Sequence, residues 1–319
     1  MRKLYQIIII LILIGNIAFA QTPDSISKPE SYIKLNYDND FFSATDRYYT
    51  QGIQFRVINR FIKYSPFSYA LIPLNKHAKN YYGINIEQDC FTPKSIRYDT
   101  INYLERPFAA TAFVSHFLIS LDAEKKQSLE TQLDLGVIGP CARCEDEQKA
   151  IHKALVNIRP LGWEAQIAAD YIINYRAKYE KAIIYTKYAE LMANVAVRAG
   201  TLYTDGAVGI HARVGLFTPY FKNLGLEKNG AKKFKLFLVV KANARAVGYN
   251  ATMQGGVFNT NSMFTVPTGD ISRFVYDGMA GIILAIHRTS FEYSRYYITP
   301  EFVRGVDHGW GRVAITVCF

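Results

Sequence analysis

Beyond its first twenty residues the sequence has no uninterrupted apolar run near the roughly 18 residues that a membrane-crossing helix needs. That excludes a helical membrane bundle, although half of the 319 residues are hydrophobic. Cysteine is scarce, four in all. Cys141 and Cys144 form a C-x-x-C, but no second pair completes a zinc site. In an exported chain this spacing reads as a local disulfide or as two thiols of no catalytic importance, with Cys90 and Cys318 packing inside strand-like runs. Neither G-x-S-x-G nor H-E-x-x-H occurs, which counts against an α/β-type serine hydrolase and a zinc peptidase.

What is present begins with an export signature. Arg2 and Lys3 precede the apolar run Ile7 to Ile14, and Ala18-Phe19-Ala20 fits an A-x-A cleavage site, so residues 1–20 read as a signal peptide and 21–319 as the mature domain. Loss of Arg2 and Lys3 leaves 35 basic against 27 acidic residues. A basic exported protein need not meet nucleic acid, because anionic lipid headgroups match the same charge.

Aromatic residues are plentiful, with 23 Tyr and 20 Phe, and apolar and polar residues alternate in segments of about ten. Ile33, Leu35 and Tyr37 alternate with Lys34, Asn36 and Asp38; Val313, Ile315, Val317 and Phe319 alternate with Arg312, Ala314, Thr316 and Cys318. Repeated along the chain, this pattern predicts an all-β fold, an antiparallel transmembrane β-barrel with one face to lipid and one to the lumen. A soluble sandwich would alternate too, but the chain stops on Phe319, the aromatic end typical of bacterial outer-membrane strands. Twelve strands are expected, near 31–39, 49–59, 81–90, 109–121, 128–138, 168–180, 183–198, 207–217, 234–247, 272–287, 289–299 and 309–319. With a periplasmic N-terminus, the connections 40–48, 91–108, 139–167, 199–206, 248–271 and 300–308 face the exterior. The connection 60–80 is long for a periplasmic turn and holds Pro66, Pro73 and several aromatics, which suits a short interfacial helix.

Two stretches carry candidate chemistry. Asp38 to Gly52 (DNDFFSATDRYYTQG) joins the first two strands and brings Asn39, Asp40 and Thr50 to one rim. Such oxygens suit a hard cation such as calcium, and equally a polar hairpin held by Asx turns. In the loop after strand 5, Glu145 to Val156 reads as a short extracellular helix, free of Gly and Pro. It places Gln148 and His152 on one face, at spacing i, i+4. Histidine suits general-base work near neutral pH, although a single loop histidine is commonly surface filler. Parity puts His152 at the same rim as Asn39, Asp40 and Thr50.

The motifs Asn39-Asp40, Asp46-Arg47 with Tyr49-Thr50 and Gly52, Gln88-Asp89 with Thr92-Pro93, and Arg106-Pro107-Phe108-Ala109 occur in that order. Leu135-Gly136-Val137-Ile138-Gly139-Pro140 follows, then His152, then Gly162-Trp163. On these motifs the chain resembles the outer-membrane lipid A 3'-O-deacylases. The resemblance runs from about Tyr32 to Trp163 and more faintly to Phe319. It implies a twelve-stranded barrel in the bacterial outer membrane with an exterior site between the wall and the histidine-bearing helix. It further implies calcium-dependent cleavage of an ester-linked acyl chain of lipid A, the 3'-acyloxyacyl group. His152 is then the general base, Asp40 the metal ligand, and Asn39 and Thr50 position water, metal or substrate. Lys94, Arg97 and Arg106 are candidates to meet the lipid A phosphates, and Gln148 to contact substrate. Two departures stand out. Cys141-Ala142-Arg143-Cys144 is bulky for its place, and an acidic metal contact expected near the helix end is replaced by Asn157, with Glu164 beyond.

Two other readings compete. One is a non-catalytic barrel, whether pore, adhesin or assembly element. The other is a serine-dependent esterase using Ser43, Ser95 or Ser115. A closed barrel leaves no strand edge to pair, so a monomer is expected.

Overall fold

The computed structural model describes residues 31–43, 47–224 and 234–319. The expected signal peptide and the motif residue Asp46 lie outside them. Twelve strands form in chain order: β1 (Tyr32–Asn39), β2 (Tyr48–Ile58), β3 (Lys79–Thr92), β4 (Ala109–Asp122), β5 (Gln127–Ile138), β6 (Asp170–Tyr185), β7 (Ala189–Gly200), β8 (Tyr203–Leu216), β9 (Phe234–Asn250), β10 (Phe274–Ile286), β11 (Thr289–Ile298) and β12 (His308–Cys318). Each pairs antiparallel with its sequence neighbours. β1 pairs with β12 from Tyr32 opposite Cys318 to Asn39 opposite Gly311, which closes the ring. Every strand edge is used, as a hydrocarbon environment demands of backbone N–H and C=O groups. Among the described residues no helix is long and apolar enough to cross a membrane.

Strand alternation sorts the side chains as expected. The lumen holds ion pairs, among them Lys34–Glu292 (2.9 Å), Arg312–Asp38 (2.6 Å), Arg176–Asp134 (2.5 Å) and Arg213–Glu190 (2.6 Å). The outer wall exposes Ile84, Ile86, Val114, Leu135, Ile173, Val195, Val208 and Leu238. Polar inside and apolar outside is the inverse of a soluble protein, and it is what lipid selects.

Two turns fall elsewhere than the sequence suggests. The expected loop 199–206 shrinks to residues 201–202, because Asn174 Oδ1 accepts from the N–H groups of both Leu202 (3.0 Å) and Tyr203 (2.9 Å) and tightens the reversal. The β6–β7 turn lies at residues 186–188 rather than 181–182, where Thr186 Oγ1 accepts from Ala189 N–H (2.9 Å). The connection 59–78 does contain short helical structure, two 3₁₀ turns at Arg60–Tyr64 and Pro66–Ala70. The expected exterior helix is α1 (Cys144–Ala154); two four-residue helices, α2 (Tyr220–Asn223) and α3 (Ala251–Gln254), sit near opposite rims.

Candidate functional site

β1 ends in a 3₁₀ turn, Asp40–Ser43, built by local hydrogen bonds: Asn39 Oδ1 accepts from Phe41 N–H (2.8 Å) and Asp40 Oδ2 from Arg47 N–H (2.6 Å). The turn separates two aspartates that the sequence groups together. Asp38 faces the lumen, held by Arg312 and 3.0 Å from the Tyr49 hydroxyl, whereas Asp40 turns to the other side of the wall. A β-bulge where β2 pairs with β3, between Tyr49 and Gln51, inserts Thr50 as an extra residue. Tyr49 keeps to the lumen, and both Thr50 and Gln51 line the cleft beside Asp40.

α1 comes to this rim through the motif before it. Gly139 has φ +101° and its N–H donates to Ala110 O (2.7 Å); a Cβ there would stand 2.8 Å from the Ala169 backbone, so glycine is required. Gln88 Nε2 donates to Ala142 O (2.7 Å) and latches the entry to the helix. Three acids, Glu145, Asp146 and Glu147, occupy the first turn, where the helix dipole favours them. The buried residues of α1 are Cys144, Gln148 and His152, one stripe at i, i+4 and i+8. Cys144 is bonded to Cys90 of β3, with Cα atoms 5.6 Å apart. This corrects the sequence reading: the C-x-x-C is not a local pair, Cys141 is exposed and unbridged, and Cys90 tethers the helix to the wall. The cause is register, since Cys90 lies opposite Gln51 on the side of the wall that the helix covers.

The helix stops two residues after its histidine. Asn157 N–H donates to His152 O (2.9 Å) and Val156 N–H to Lys153 O (3.4 Å), the two bonds of a Schellman ending, with Val156 at φ +55° where glycine is usual. A β-branched residue there costs on the order of 1 kcal/mol. The reversal brings Ile158 O to 2.7 Å from His152 Nδ1. A carbonyl only accepts, so Nδ1 carries the hydrogen and the basic lone pair of the neutral ring lies on Nε2. Trp163 Nε1 donates to Gln148 Oε1 (2.7 Å), which turns the amide so that Nε2 is the remaining donor; that atom is buried without a hydrogen-bond partner among the described residues. Burial also raises the Glu147 carboxyl pKa above its ordinary value, opposed by the nearby amides of Gln51 and Gln88.

Asn39, Asp40, Thr50, Gln148 and His152 thus line one cleft of about 560 Å³, together with Tyr37, Gln51, Ile151 and Asn157. Glu164 is exposed and does not line it. The cleft's oxygens are hard donors suited in kind to calcium, but among the described residues Asp40 is its one carboxylate, and no cluster of three His, Cys, Asp or Glu residues occurs among them. Of the basic residues singled out in the sequence, none is brought to the cleft. Lys94 and Arg106 line a second cavity of about 820 Å³, and Arg97 lines neither. Arg106 is a buried clamp that donates to Thr252 Oγ1 (2.9 Å), lies 3.6 Å from Glu301 and stacks 4.5 Å over Phe91; burial lowers its pKa. Gln51, the Trp163 hydrogen bond and the Ile158 carbonyl carry no sequence signal of their role, although Trp163 stands in a quoted motif.

A closed barrel with an apolar outer wall, and a polar cleft roofed by a helix on the outer side of its rim, is an outer-membrane barrel with its candidate site at the membrane surface. The sequence matches the family described as "Outer membrane protein LpxR" over residues 7–319, and the chain belongs to that family. Its fold is similar to that of LpxR from Salmonella typhimurium, with 20% identity, a TM-score of 0.74, and coverage of 90% of this chain and 100% of that one. The translocator domain of the autotransporter NalP from Neisseria meningitidis shares 11% identity with a TM-score of 0.43, covering 93% of this chain and 90% of its own. No curated protein sequence matches.

Proposed function

We propose that this protein is a lipid A deacylase that hydrolyses an ester-linked acyl chain, the 3'-acyloxyacyl group, in the outer leaflet. The family supports the substrate. The observation that carries the reading is the gathering of His152, Asp40, Asn39 and Thr50 in one cleft on the outer side of the wall. In that position a lipid can present its ester linkage while its acyl chain lies along Phe55, Ile86 and Val114, all exposed on the wall below. On this reading the cleft rim faces the cell exterior.

His152 Nε2 takes a proton from water as the water oxygen attacks the acyl carbon. The tetrahedral intermediate collapses by breaking the bond to the sugar oxygen, and the imidazolium returns the proton to that leaving oxygen. The Nδ1–H bond to Ile158 O holds the ring in the required tautomer and steadies the imidazolium. Gln148 Nε2 donates to the oxyanion, and Thr50 positions water or substrate. Asp40, with oxygens of Asn39, Thr50 and Asn157, would hold a calcium ion, which would supply Lewis-acid stabilisation of the oxyanion. None of Ser43, Ser95 and Ser115 lines the cleft, so no observation favours a serine nucleophile.

Mass spectrometry of lipid A from cells expressing the wild type and His152→Ala tests the reading. Loss of one acyloxyacyl mass with the wild type alone supports it. An unchanged lipid A profile with a folded wild-type barrel overturns it and leaves a non-catalytic barrel.

A further inference from the structure

The chain between β2 and β3 does not hang below the barrel as a turn but folds back onto its outer wall. Lumen-facing residues on β4, β5 and β6 include Ile119, Glu130 and Lys178, so by alternation and register His116, Leu118, Thr131 and Tyr175 point outward. Val114 and Leu135 on the same face are 50% and 37% exposed, whereas Leu118 and Thr131 are 0% and 1% exposed. The strap covers them. Ser68 Oγ lies 2.8 Å from His116 Nε2, Thr131 Oγ1 both accepts from Ile72 N–H and donates to Ile72 O (3.2 Å each), and Tyr175 OH donates to Ala70 O (2.9 Å). Its own backbone closes in i to i+3 bonds from Asn59 to Leu71. Polar wall residues that lipid would leave unsatisfied are thereby paired, and so is the strap backbone. His116 stands six residues before the end of β4, roughly 15 Å up a tilted wall, so the strap reaches hydrocarbon depth.

Its outer surface is apolar and basic. Phe61, Tyr64, Phe67, Tyr69 and Ile72 are exposed, Tyr69 at 96%. No acidic residue occurs from position 59 to 86, while Arg60, Lys63, Lys76 and Lys79 do. Arg60 and Lys63 lie over the rings of Phe61 and Tyr64, 4.7 Å each, and among the described residues neither meets a carboxylate. Asp122, on the same rim, is occupied by Asn75 Nδ2 (3.1 Å) and Lys125 N–H (2.9 Å). Aromatic rings at the membrane interface, beside cations that meet no carboxylate among the described residues, match an acyl chain ending in a negative headgroup. We propose that the strap is a binding site for an anionic phospholipid of the leaflet at the rim opposite the cleft. On the proposed orientation that is the periplasmic leaflet, and the site itself does not depend on the deacylase reading.

The test is native mass spectrometry of the purified full-length barrel with equal amounts of phosphatidylglycerol and phosphatidylcholine. The wild type should retain phosphatidylglycerol at least five-fold more often, and Arg60→Gln/Lys63→Gln should remove that preference. Arg97→Gln, at the other rim, should keep it. Equal retention of the two lipids by the wild type, or a preference untouched by the double variant, overturns the proposal. So does a dimer in the spectra that Tyr64→Lys abolishes, since the surface would then serve a second copy. If the double variant fails to fold, Tyr69→Trp keeps the charges, and its fluorescence should be quenched more by brominated phosphatidylglycerol than by brominated phosphatidylcholine; equal quenching overturns the site. None of these readouts uses lipid A hydrolysis, so their failure and the failure of the deacylase reading are separable.

Discussion

Cys144 and His152 lie eight residues apart on the single buried stripe of α1, and Cys144 is bonded to Cys90 in the wall. The tether sits two turns ahead of the imidazole on the same face, so it fixes the azimuth of the helix and with it the direction of the ring.

Removing the tether should therefore affect catalysis before it affects the barrel. The bridge closes a separation of 54 residues, for which chain entropy alone predicts about 4 kcal/mol. The twelve-strand ring stays closed without it. Cys90→Ala and reduction by a phosphine should each lower hydrolysis about ten-fold or more, while heat-modifiable migration of the folded barrel persists. Cys141→Ser should behave as the wild type, because that thiol is outside the bridge; equal loss in Cys141→Ser would show that the local C-x-x-C is the functional pair.

Gln148 is oriented by a residue fifteen positions away. Its Oε1 is committed to Trp163 Nε1, so Nε2 is the group left for substrate. Gln148→Met removes the donor and should reduce kcat/KM about 100-fold, the usual scale for one oxyanion contact, about 3 kcal/mol. Trp163→Phe leaves the amide in place but free to rotate, so kcat should fall about ten-fold with KM little changed. Steady-state hydrolysis by both variants separates the roles. An unaltered Trp163→Phe would mean that the hydrogen bond does not orient the amide.

The barrel was legible in the sequence because lipid on one side and water on the other impose a period of two along most of each strand, down to the end of β12. The gathering of His152 with Asp40 and Thr50 followed from parity together with the motif order. The Cys90–Cys144 bridge did not, because it depends on strand register and on which side of the wall the helix covers, neither of which spacing encodes. The bulge at Thr50 was hidden for the same reason. Charge misled at Arg106, since a loop arginine that clamps Thr252 and Glu301 looks in sequence like one that binds phosphate.

The Glu147 carboxyl gives the helix beside the cleft a pH signature. Its pKa is raised in the folded state by burial, so the folded protein holds this proton more tightly than the unfolded chain does. The associated stability is fully present below the unfolded value and is lost as pH rises through the raised one. Glu147→Gln mimics the protonated form at all pH values. Urea midpoints should therefore match the wild type in acid and exceed it at neutral pH, and a gain that is the same at both would remove burial of the charge as its cause.

On the proposed mechanism, calcium dependence turns on how few charges the described residues of the cleft offer. Among the described residues Asp40 supplies one carboxylate, and the neighbouring oxygens of Asn39, Thr50 and Asn157 are neutral. Calcium affinity rises with the number of anionic ligands, so binding by a single carboxylate should be weak, with Kd on the order of 10⁻⁴ to 10⁻³ M. Chelation should suppress hydrolysis about 100-fold and millimolar calcium should restore it. Asp40→Asn should abolish calcium binding by calorimetry, a readout independent of turnover. Asn157→Asp adds a second carboxylate to the same cleft and should tighten calcium about ten-fold while lowering the concentration needed for activity. Calcium affinity unmoved by both substitutions would place the ion away from Asp40, and hydrolysis indifferent to chelation would leave His152 and Gln148 to act without a metal.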